Sequence, residues 1–235
     1  MRIIRSLARL PNLPMPYQHR FVDDSACTLP VGKVVCVGRN YAEHAKELHN
    51  PVPAEPILFI KPRTAIVSLH DPVVVPRGQG ACHFETEMAV LIGAPLKDAD
   101  PTRAGAAIAG VGLGLDLTLR EVQDGLKAKG LPWEKAKAFD GACPLSAFVN
   151  PARVASLAGM RIRLLVNGEI RQDGNTADML TPVLPLLCYM SRYFTLSPGD
   201  VVMTGTPQGV GPLKAGDRLR VILGDTLLAV ETEAI

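Results

Sequence analysis

Residues 82–92, CHFETEMAVLI, place two acids at the start of an otherwise apolar run. Glu85 and Glu87 are separated by one residue, so on a β-strand their side chains leave the same face, about 6.6 Å apart along the backbone. Two like charges on one face repel each other, yet the segment that follows, Met88 to Ile92, is wholly apolar. The stretch therefore predicts a buried strand whose acidic end either faces water or holds a cation.

A third acid extends this cluster to a candidate metal site. Asp116 ends the Gly-rich apolar run Ala104 to Leu115, where an unpaired charge would be costly to bury. Three carboxylates without a Cys or His ligand form an all-oxygen site, which suits Mg²⁺, Mn²⁺ or Ca²⁺ better than Zn²⁺. Glu85, Glu87 and Asp116 are therefore candidate metal ligands, with ordinary solvent-facing acids as the alternative.

A candidate acid–base pair lies in GRNYAEHAKEL, residues 38–48. His44 and Glu47 are three residues apart and share one face if the segment is helical. A carboxylate beside an imidazole favours the charged form of the ring and fixes its orientation, which suits a general base near neutral pH. The alternative is an exposed helix face on which both side chains are solvated.

The pattern of short elements predicts an α+β fold. Apolar runs bounded by Gly and Pro, including PVVVP at 72–76, indicate short strands. Asn167-Gly168 lies between two strand-like runs and predicts a tight hairpin. A helix from about Pro182 to Phe194 interrupts a β-rich final third. Together these elements favour a curled, mostly β body with a few helices packed against it.

Composition limits the class of partner. The 235 residues carry a net charge of +2 and no run of Lys and Arg, which argues against nucleic-acid or membrane-surface binding and for a small-molecule partner. The five cysteines form no C-x-x-C pair, as is typical of a reducing compartment. No apolar stretch reaches the roughly 20 residues of a membrane span.

The chain divides into an N-terminal extension at residues 1–30 and a main domain at residues 31–235. The first sixteen residues contain three arginines and no acid, which faintly resembles a transit peptide. They lack an apolar core region and a small-residue cleavage site. We therefore expect an extension that lies on the main domain, in a cytoplasmic protein.

Seven strings of this sequence resemble the fumarylacetoacetate hydrolase family in content and order. They span about residues 31 to 230 and are VVCVGRNYAEHAKEL, EPILFIKP, HFETEMAVLIG, LDLTLREVQ, GLPWEKAKAFD, NGEIRQDG and LSPGDVVMTGTPQGVGP. The short, single-domain acylpyruvate hydrolase branch is the one the chain resembles most. The resemblance implies a mixed β-roll or β-sandwich body with a few flanking helices, a homodimer, and a bound Mg²⁺ or Mn²⁺, with Ca²⁺ as an alternative.

The resemblance also implies roles for particular residues, matched position by position to the motifs of the family. Its E-x-E and D-x-T motifs give the metal ligands, and its His/Glu dyad and lysine give the catalytic groups. The implied metal ligands are Glu85, Glu87 and Asp116, the implied catalytic residues are His44, Glu47 and Lys137, and the implied substrate contacts are Arg39, Arg120, Gln123 and Thr206.

The resemblance implies a metal-dependent hydrolase that cleaves the C–C bond of acylpyruvates, which are 2,4-dioxo acids, to pyruvate and a carboxylic acid. The same enolate chemistry serves oxaloacetate decarboxylation and keto–enol tautomerisation of oxaloacetate or other 2-oxo acids, and this is the alternative prediction. An isomerase or decarboxylase of hydroxymuconate-type acids in aromatic catabolism is a further alternative. A catalytically silent binding protein for a 2-oxo acid is disfavoured, because it would not need the complete set of catalytic side chains.

Overall fold

The structure, a computed structural model, describes residues 17–235. This range contains fourteen strands and five α-helices. In chain order the strands are β1 Val34–Gly38, β2 Ile57–Lys61, β3 Ile66–Ser68, β4 Cys82–Phe84, β5 Thr86–Ile92, β6 Ile108–Leu115, β7 Thr118–Leu119, β8 Cys143–Leu145, β9 Arg161–Val166, β10 Glu169–Asn175, β11 Val201–Met203, β12 Gly211–Pro212, β13 Arg218–Leu223 and β14 Leu228–Glu233. The helices are α1 Ala42–Glu47, α2 Pro101–Ala106, α3 Arg120–Ala128, α4 Glu134–Lys137 and α5 Val183–Tyr193.

The strands form three sheets, and the predicted α+β class is confirmed. The largest sheet has seven strands in the order β2-β1-β11-β5-β6-β8-β3. A four-stranded sheet has the order β10-β9-β13-β14, and a three-stranded sheet has the order β12-β4-β7. In the largest sheet β1 pairs with β11, and β3 with β8, in parallel, whereas β5 is antiparallel to both of its neighbours.

Strand β5 lies at the centre of the seven-stranded sheet and is buried along its whole length. Successive side chains leave opposite faces of a strand. Here Val90 and Ile92 pack into one apolar cluster, whereas Ala89 and Leu91 pack into a second. A strand covered on both faces needs a continuous apolar run rather than an alternating one. Glu87 lies just before this run and is buried with it.

The glycines of β6 allow other chain segments to pack closely against the same sheet. A Cβ atom on Gly110 would lie 2.7 Å from the Cβ of Phe148, a fully buried residue. Phe148 is held by backbone hydrogen bonds, because its N–H donates to the carbonyl of Arg20 and its carbonyl accepts from the N–H of Val22. It therefore cannot move away from a larger side chain at position 110.

The same hydrogen bonds place residues 20–22 on the seven-stranded sheet. His19 Nε2 also lies 3.0 Å from the carbonyl oxygen of Gly199, in the turn before β11. The part of the predicted extension that the structure describes thus contacts the main body. The division at residue 30 stays a prediction, and the predictions for residues 1–16 lie outside the described residues.

Three local predictions have clear outcomes. Asn167 and Gly168 both have positive φ, 53° and 86°, and connect β9 to β10, so the predicted hairpin is confirmed. The predicted helix near Pro182 is confirmed as α5. The run at 72–76 does not form a strand of any sheet: it makes one isolated bridge, Val73 to Ala234, with the N–H groups of Val73 and Val75 donating to the carbonyls of Glu233 and Ile235. Within residues 17–235, no helix combines the length and apolar composition needed to cross a membrane.

We expect Gly110→Ala to destabilise the protein. The new methyl group would overpack against Phe148, which typically costs about 1–3 kcal/mol, so the midpoint of urea unfolding should fall. Gly125→Ala on α3 is the matched control, since a Cβ there meets nothing within 4 Å. Replacing a glycine inside a helix by alanine typically stabilises a protein by about 0.5–1 kcal/mol, so the midpoint of this variant should not fall. An unchanged midpoint for Gly110→Ala would contradict the packing argument.

Candidate active site and metal centre

The register of β5 and β6 brings the three candidate ligands together. Thr86 pairs with Leu115, and just beyond this pair the N–H of Asp116 donates to the carbonyl of Glu85 at 2.8 Å. Glu85, Glu87 and Asp116 each offer a carboxylate oxygen, and these oxygens lie within 4.8 Å of one another. All three side chains are buried, so the alternative of ordinary solvent-facing acids is not what the structure shows.

This group of residues fits a divalent cation. The three acids supply only carboxylate oxygens, which are the ligands that Mg²⁺ and Mn²⁺ prefer over Zn²⁺. Three protein ligands also leave coordination positions for oxygens of a substrate, since Mg²⁺ takes six ligands and is seldom enclosed by protein alone.

Basic side chains compensate two of the three acids. Lys137 Nζ donates to Glu85 Oε2 at 2.9 Å and to Asp116 Oδ2 at 2.6 Å. Arg120 pairs with the other oxygen of Glu85, and Lys61 Nζ lies 2.7 Å from Asp116 Oδ1.

Glu87 is different, because among the described residues no basic side chain pairs with it. Its Oε2 instead accepts a hydrogen bond of 2.7 Å from the N–H of Gly205. A single neutral donor compensates a buried carboxylate charge less than an ion pair does. Glu87 is therefore the acid of this cluster whose negative charge is least compensated by protein groups.

The pKa values follow from this difference. Burial, followed by the charge of Asp116, raises the pKa of Glu87 well above its usual range. Burial also opposes ionisation of Glu85, but Lys137 and Arg120 outweigh it and lower the pKa of that carboxyl. For Lys137, burial works toward a lower pKa, but Asp116 and Glu85 raise it overall. These surroundings thus favour the charged form of Lys137, whereas they disfavour ionisation of Glu87 in the absence of a cation.

The candidate acid–base pair lies on α1. His44 is buried, and its Nδ1 is 3.4 Å from Glu47 Oε2. The second oxygen of Glu47 accepts a hydrogen bond of 3.0 Å from the N–H of Gly209. Glu47 is thus fixed between a backbone donor and the imidazole, and the alternative of two solvated side chains does not describe the buried His44.

One pocket joins the two candidate sites. The predicted residues that line it are Arg39, His44, Glu85, Glu87, Arg120, Gln123, Lys137 and Thr206. Glu47 and Asp116 are not part of this lining: Glu47 is exposed and contacts His44, whereas Asp116 is buried and contacts Lys137. Phe59 and Trp133, whose ring centroids are 5.9 Å apart, form an apolar wall of the same pocket.

The predicted substrate contacts differ in how far other groups already engage them. Arg120 donates to Gln123 Oε1 at 2.8 Å besides its pair with Glu85. The hydroxyl of Thr206 donates to the carbonyl of Thr86 at 2.9 Å and accepts from Gln172 at 2.8 Å. Thr206 lines the pocket, but its hydroxyl hydrogen is already used.

Two buried residues around the site were not predicted. Lys61 is fully buried, and Gln172 is fully buried at an irregularity of β10. Gln172 connects β5 to the turn at Thr206, because its Oε1 accepts from the N–H of Thr86. A lone lysine inside the apolar run ILFIK was a usable signal for Lys61, since an isolated charge is rarely buried without a partner. The sequence around Gln172 gives no comparable signal.

Comparison with known proteins identifies the family. Residues 33–232 match the family described as fumarylacetoacetate (FAA) hydrolase, C-terminal. The chain is 53% identical to the oxaloacetate tautomerase YcgM of Escherichia coli K12 over 206 residues, which cover 87% of this chain and 94% of that protein. It is 43% identical to the mitochondrial oxaloacetate tautomerase FAHD1 of Bos taurus, over 80% of this chain and 85% of that protein. The chain therefore belongs to the fumarylacetoacetate hydrolase family, and these two relatives are named as enzymes.

A solved structure extends the comparison to bound groups. The fumarylpyruvate hydrolase of Pseudomonas aeruginosa, in complex with Mn²⁺ and pyruvate, superposes with a TM-score of 0.87. Its sequence is 33% identical, and the match covers 96% of this chain and 98% of that one. The β-roll body with flanking helices implied by the family resemblance is thus confirmed.

We expect the affinity for Mn²⁺ or Mg²⁺ to rise with pH. Below the raised pKa of Glu87 the incoming ion must displace a proton, whereas above it the carboxylate is already free, so affinity climbs through that pKa and then levels. Titration calorimetry at several pH values, in buffers of different ionisation enthalpy, measures both the affinity and the proton released.

Two variants make this measurement specific. Glu87→Gln should weaken metal binding more than about tenfold and abolish the released proton. Glu169→Gln, which changes an exposed acid on β10, should alter neither quantity. A wild-type affinity that is flat across the pH range, with no proton release, would contradict the assignment of Glu87.

Proposed function

We propose that this protein is a divalent-metal-dependent oxaloacetate tautomerase, which interconverts the keto and enol forms of oxaloacetate. The observation that carries the proposal is a buried imidazole, His44, in the same pocket as a cluster of three carboxylates that fits a divalent cation. The names of two relatives that match most of the chain support this reaction. They favour the alternative made from the sequence over its main prediction, acylpyruvate hydrolysis.

Glu85, Glu87 and Asp116 are the residues we assign to the metal, with Mg²⁺ or Mn²⁺ as the proposed ion. When bound, a divalent cation supplies a Lewis acid for the oxygens of a 2-oxo acid. The relative that contains both Mn²⁺ and pyruvate supports an ion of this class. Lys137 holds a positive charge beside two of these acids, so its contribution is charge rather than a transferred proton.

Tautomerisation requires that a proton leave C3 while the oxygen on C2 gains one. His44 is the residue we assign to proton transfer at C3, because it is an imidazole that lines the pocket beside Glu85 and Glu87. Glu47, at 3.4 Å from Nδ1, orients the ring and stabilises the imidazolium form during the transfer. The N–H of Gly209 fixes Glu47 in turn.

Hydrolysis of acylpyruvates is the second candidate function. It is favoured by the similarity to the fumarylpyruvate hydrolase over 96% of this chain. It would use the same residues, with His44 taking a proton from water rather than from C3. Decarboxylation of oxaloacetate and chemistry on hydroxymuconate-type acids stay predictions, as do the homodimer and the cytoplasmic location.

The reactions are separated by their products. We expect Mg²⁺-loaded protein to accelerate the conversion of enol-oxaloacetate to the keto form, as monitored by ultraviolet absorbance. NMR of the same sample should show no pyruvate. Fumarylpyruvate and acetylpyruvate should be turned over more slowly or not at all. Pyruvate and a free acid formed from these substrates faster than oxaloacetate tautomerises would instead establish hydrolysis.

We expect Glu47→Gln to lower kcat while leaving metal affinity unchanged. The variant removes the charge that orients and stabilises His44, and general acid–base catalysis contributes about 10²–10⁴-fold, so a decrease of at least tenfold should result. Glu43→Gln is the matched control, because Glu43 is an exposed glutamate of the same helix, as Glu47 is, but pairs with Lys46 instead of His44. Full turnover by Glu47→Gln would remove the pair from the mechanism.

A further inference from the structure

Helix α3 extends the pocket away from the carboxylate cluster. Arg120, Gln123 and Lys127 all line the pocket, and their spacing of i, i+3 and i+7 places them on one face of the helix. Seven residues of α-helix rise about 10.5 Å. Arg120 contacts Glu85 at one end of this face, and Lys127 lies about two helical turns further along the helix, in what we call the outer part of the pocket.

Lys127 is held at this place by an aromatic side chain. Its Nζ lies 5.6 Å from the ring centroid of Trp133, over the ring. Among the described residues its only ion pair is with Asp124 of its own helix, at 3.7 Å, and the side chain of Asp124 is 63% exposed. Ion pairs with such an exposed partner contribute little to stability. The lysine side chain itself is only 22% exposed, so its charge is partly removed from water without a strong partner.

The outer part of the pocket therefore differs in charge from the inner part. The inner cations, Arg120 and Lys137, pair with Glu85. Lys127 and Arg39 line the same pocket, and within residues 17–235 neither has an ion pair with a carboxylate that lines it. Two cations thus line this pocket without an ion pair to any carboxylate of its lining.

The electrostatic surroundings of Lys127 agree with this charge imbalance. Burial, followed by the charge of Arg120, lowers the pKa of the Lys127 ammonium, and Arg39 and Lys137 act in the same direction. An anion in the outer part of the pocket would offset both the cost of burying the ammonium charge and its repulsion by the neighbouring cations. A carboxylate is the anion that the proposed substrate class provides.

We propose that Lys127, together with Arg39, forms a subsite for the second carboxylate of a dicarboxylic 2-oxo acid. This inference rests on the proposed function, in which the first carboxylate and the 2-oxo group lie at the inner cluster. Trp133 holds the ammonium group by a cation–π contact and covers the lysine stem. The subsite selects diacids over 2-oxo acids that end in a methyl group.

The test uses two ligands that differ only at this end. 3,3-Dimethyloxaloacetate has a carboxylate on C3 where trimethylpyruvate has a methyl group. Neither ligand has a C3 hydrogen, so neither can enolise. We expect Mg²⁺-loaded wild-type protein to bind the diacid about tenfold more tightly, the order expected for one hydrogen bond to a charged group. Lys127→Met, which keeps the apolar stem over Trp133, should lose this preference while binding trimethylpyruvate unchanged.

Two further variants control for charge and for folding. Lys127→Arg should retain the preference for the diacid, because it retains the positive charge. Lys129→Met changes an exposed lysine next to the end of the same helix and should alter binding of neither ligand. Thermal unfolding of each variant confirms that it is folded before binding is measured.

Two results would overturn the subsite: an undiminished diacid preference in Lys127→Met, or an equal loss of affinity for both ligands in a folded variant. The proposed function fails separately, because neither ligand can tautomerise and their binding therefore does not depend on that activity. A wild-type protein that prefers the diacid yet does not tautomerise oxaloacetate would retain the subsite and lose the tautomerase assignment.

Discussion

The site depends on holding three carboxylates together inside a sheet that is buried on both faces. The effective penalty for removing a charge from water is several kcal/mol per ion, and these acids also repel one another. The backbone resists this repulsion, because the hydrogen bond from Asp116 N–H to Glu85 carbonyl continues the ladder between β5 and β6. The backbone positions of Asp116 and Glu85 cannot separate without breaking this pairing of the two central strands.

Lys61 shows how the interior compensates one of these charges. It is fully buried at the end of β2, and its Nζ lies 2.7 Å from Asp116 Oδ1. The same ammonium donates to the carbonyls of Lys137 and Ala142. One lysine therefore connects a candidate ligand to the segment that carries Lys137, and removing one partner of such a buried pair typically costs about 3–5 kcal/mol. The inner site is in this sense part of the folding core.

The sequence predicted those features that depend on short-range spacing. Asn167-Gly168 specifies its hairpin locally, and Glu87 lies on the expected strand, whereas Glu85 lies at the one-residue break between β4 and β5. The run at 72–76 is paired only through an isolated bridge with the C-terminal segment, a partner that short-range spacing cannot indicate. Lys61 and Gln172 were missed because their roles arise from contacts between segments distant in sequence: Gln172 accepts from the N–H of Thr86, and Lys61 reaches Asp116 only once β2 and β6 belong to one sheet. The spacing of the acids could not predict whether the reaction is hydrolysis or tautomerisation, since the same acids serve both.

What distinguishes these reactions must therefore lie opposite the acids, where α1 carries His44. This helix is fixed at both ends: Asn40, just before it, donates to the carbonyls of Thr181 and Thr204, and Glu47 in its last turn accepts from Gly209 N–H. Proton transfer at a single carbon requires a base held within hydrogen-bonding distance of that carbon. Hydrolysis requires in addition that the base hold a water molecule between itself and a distal carbonyl. A short helix anchored in this way keeps the imidazole at a set position relative to the carboxylates, which is what the proton transfer proposed for His44 requires.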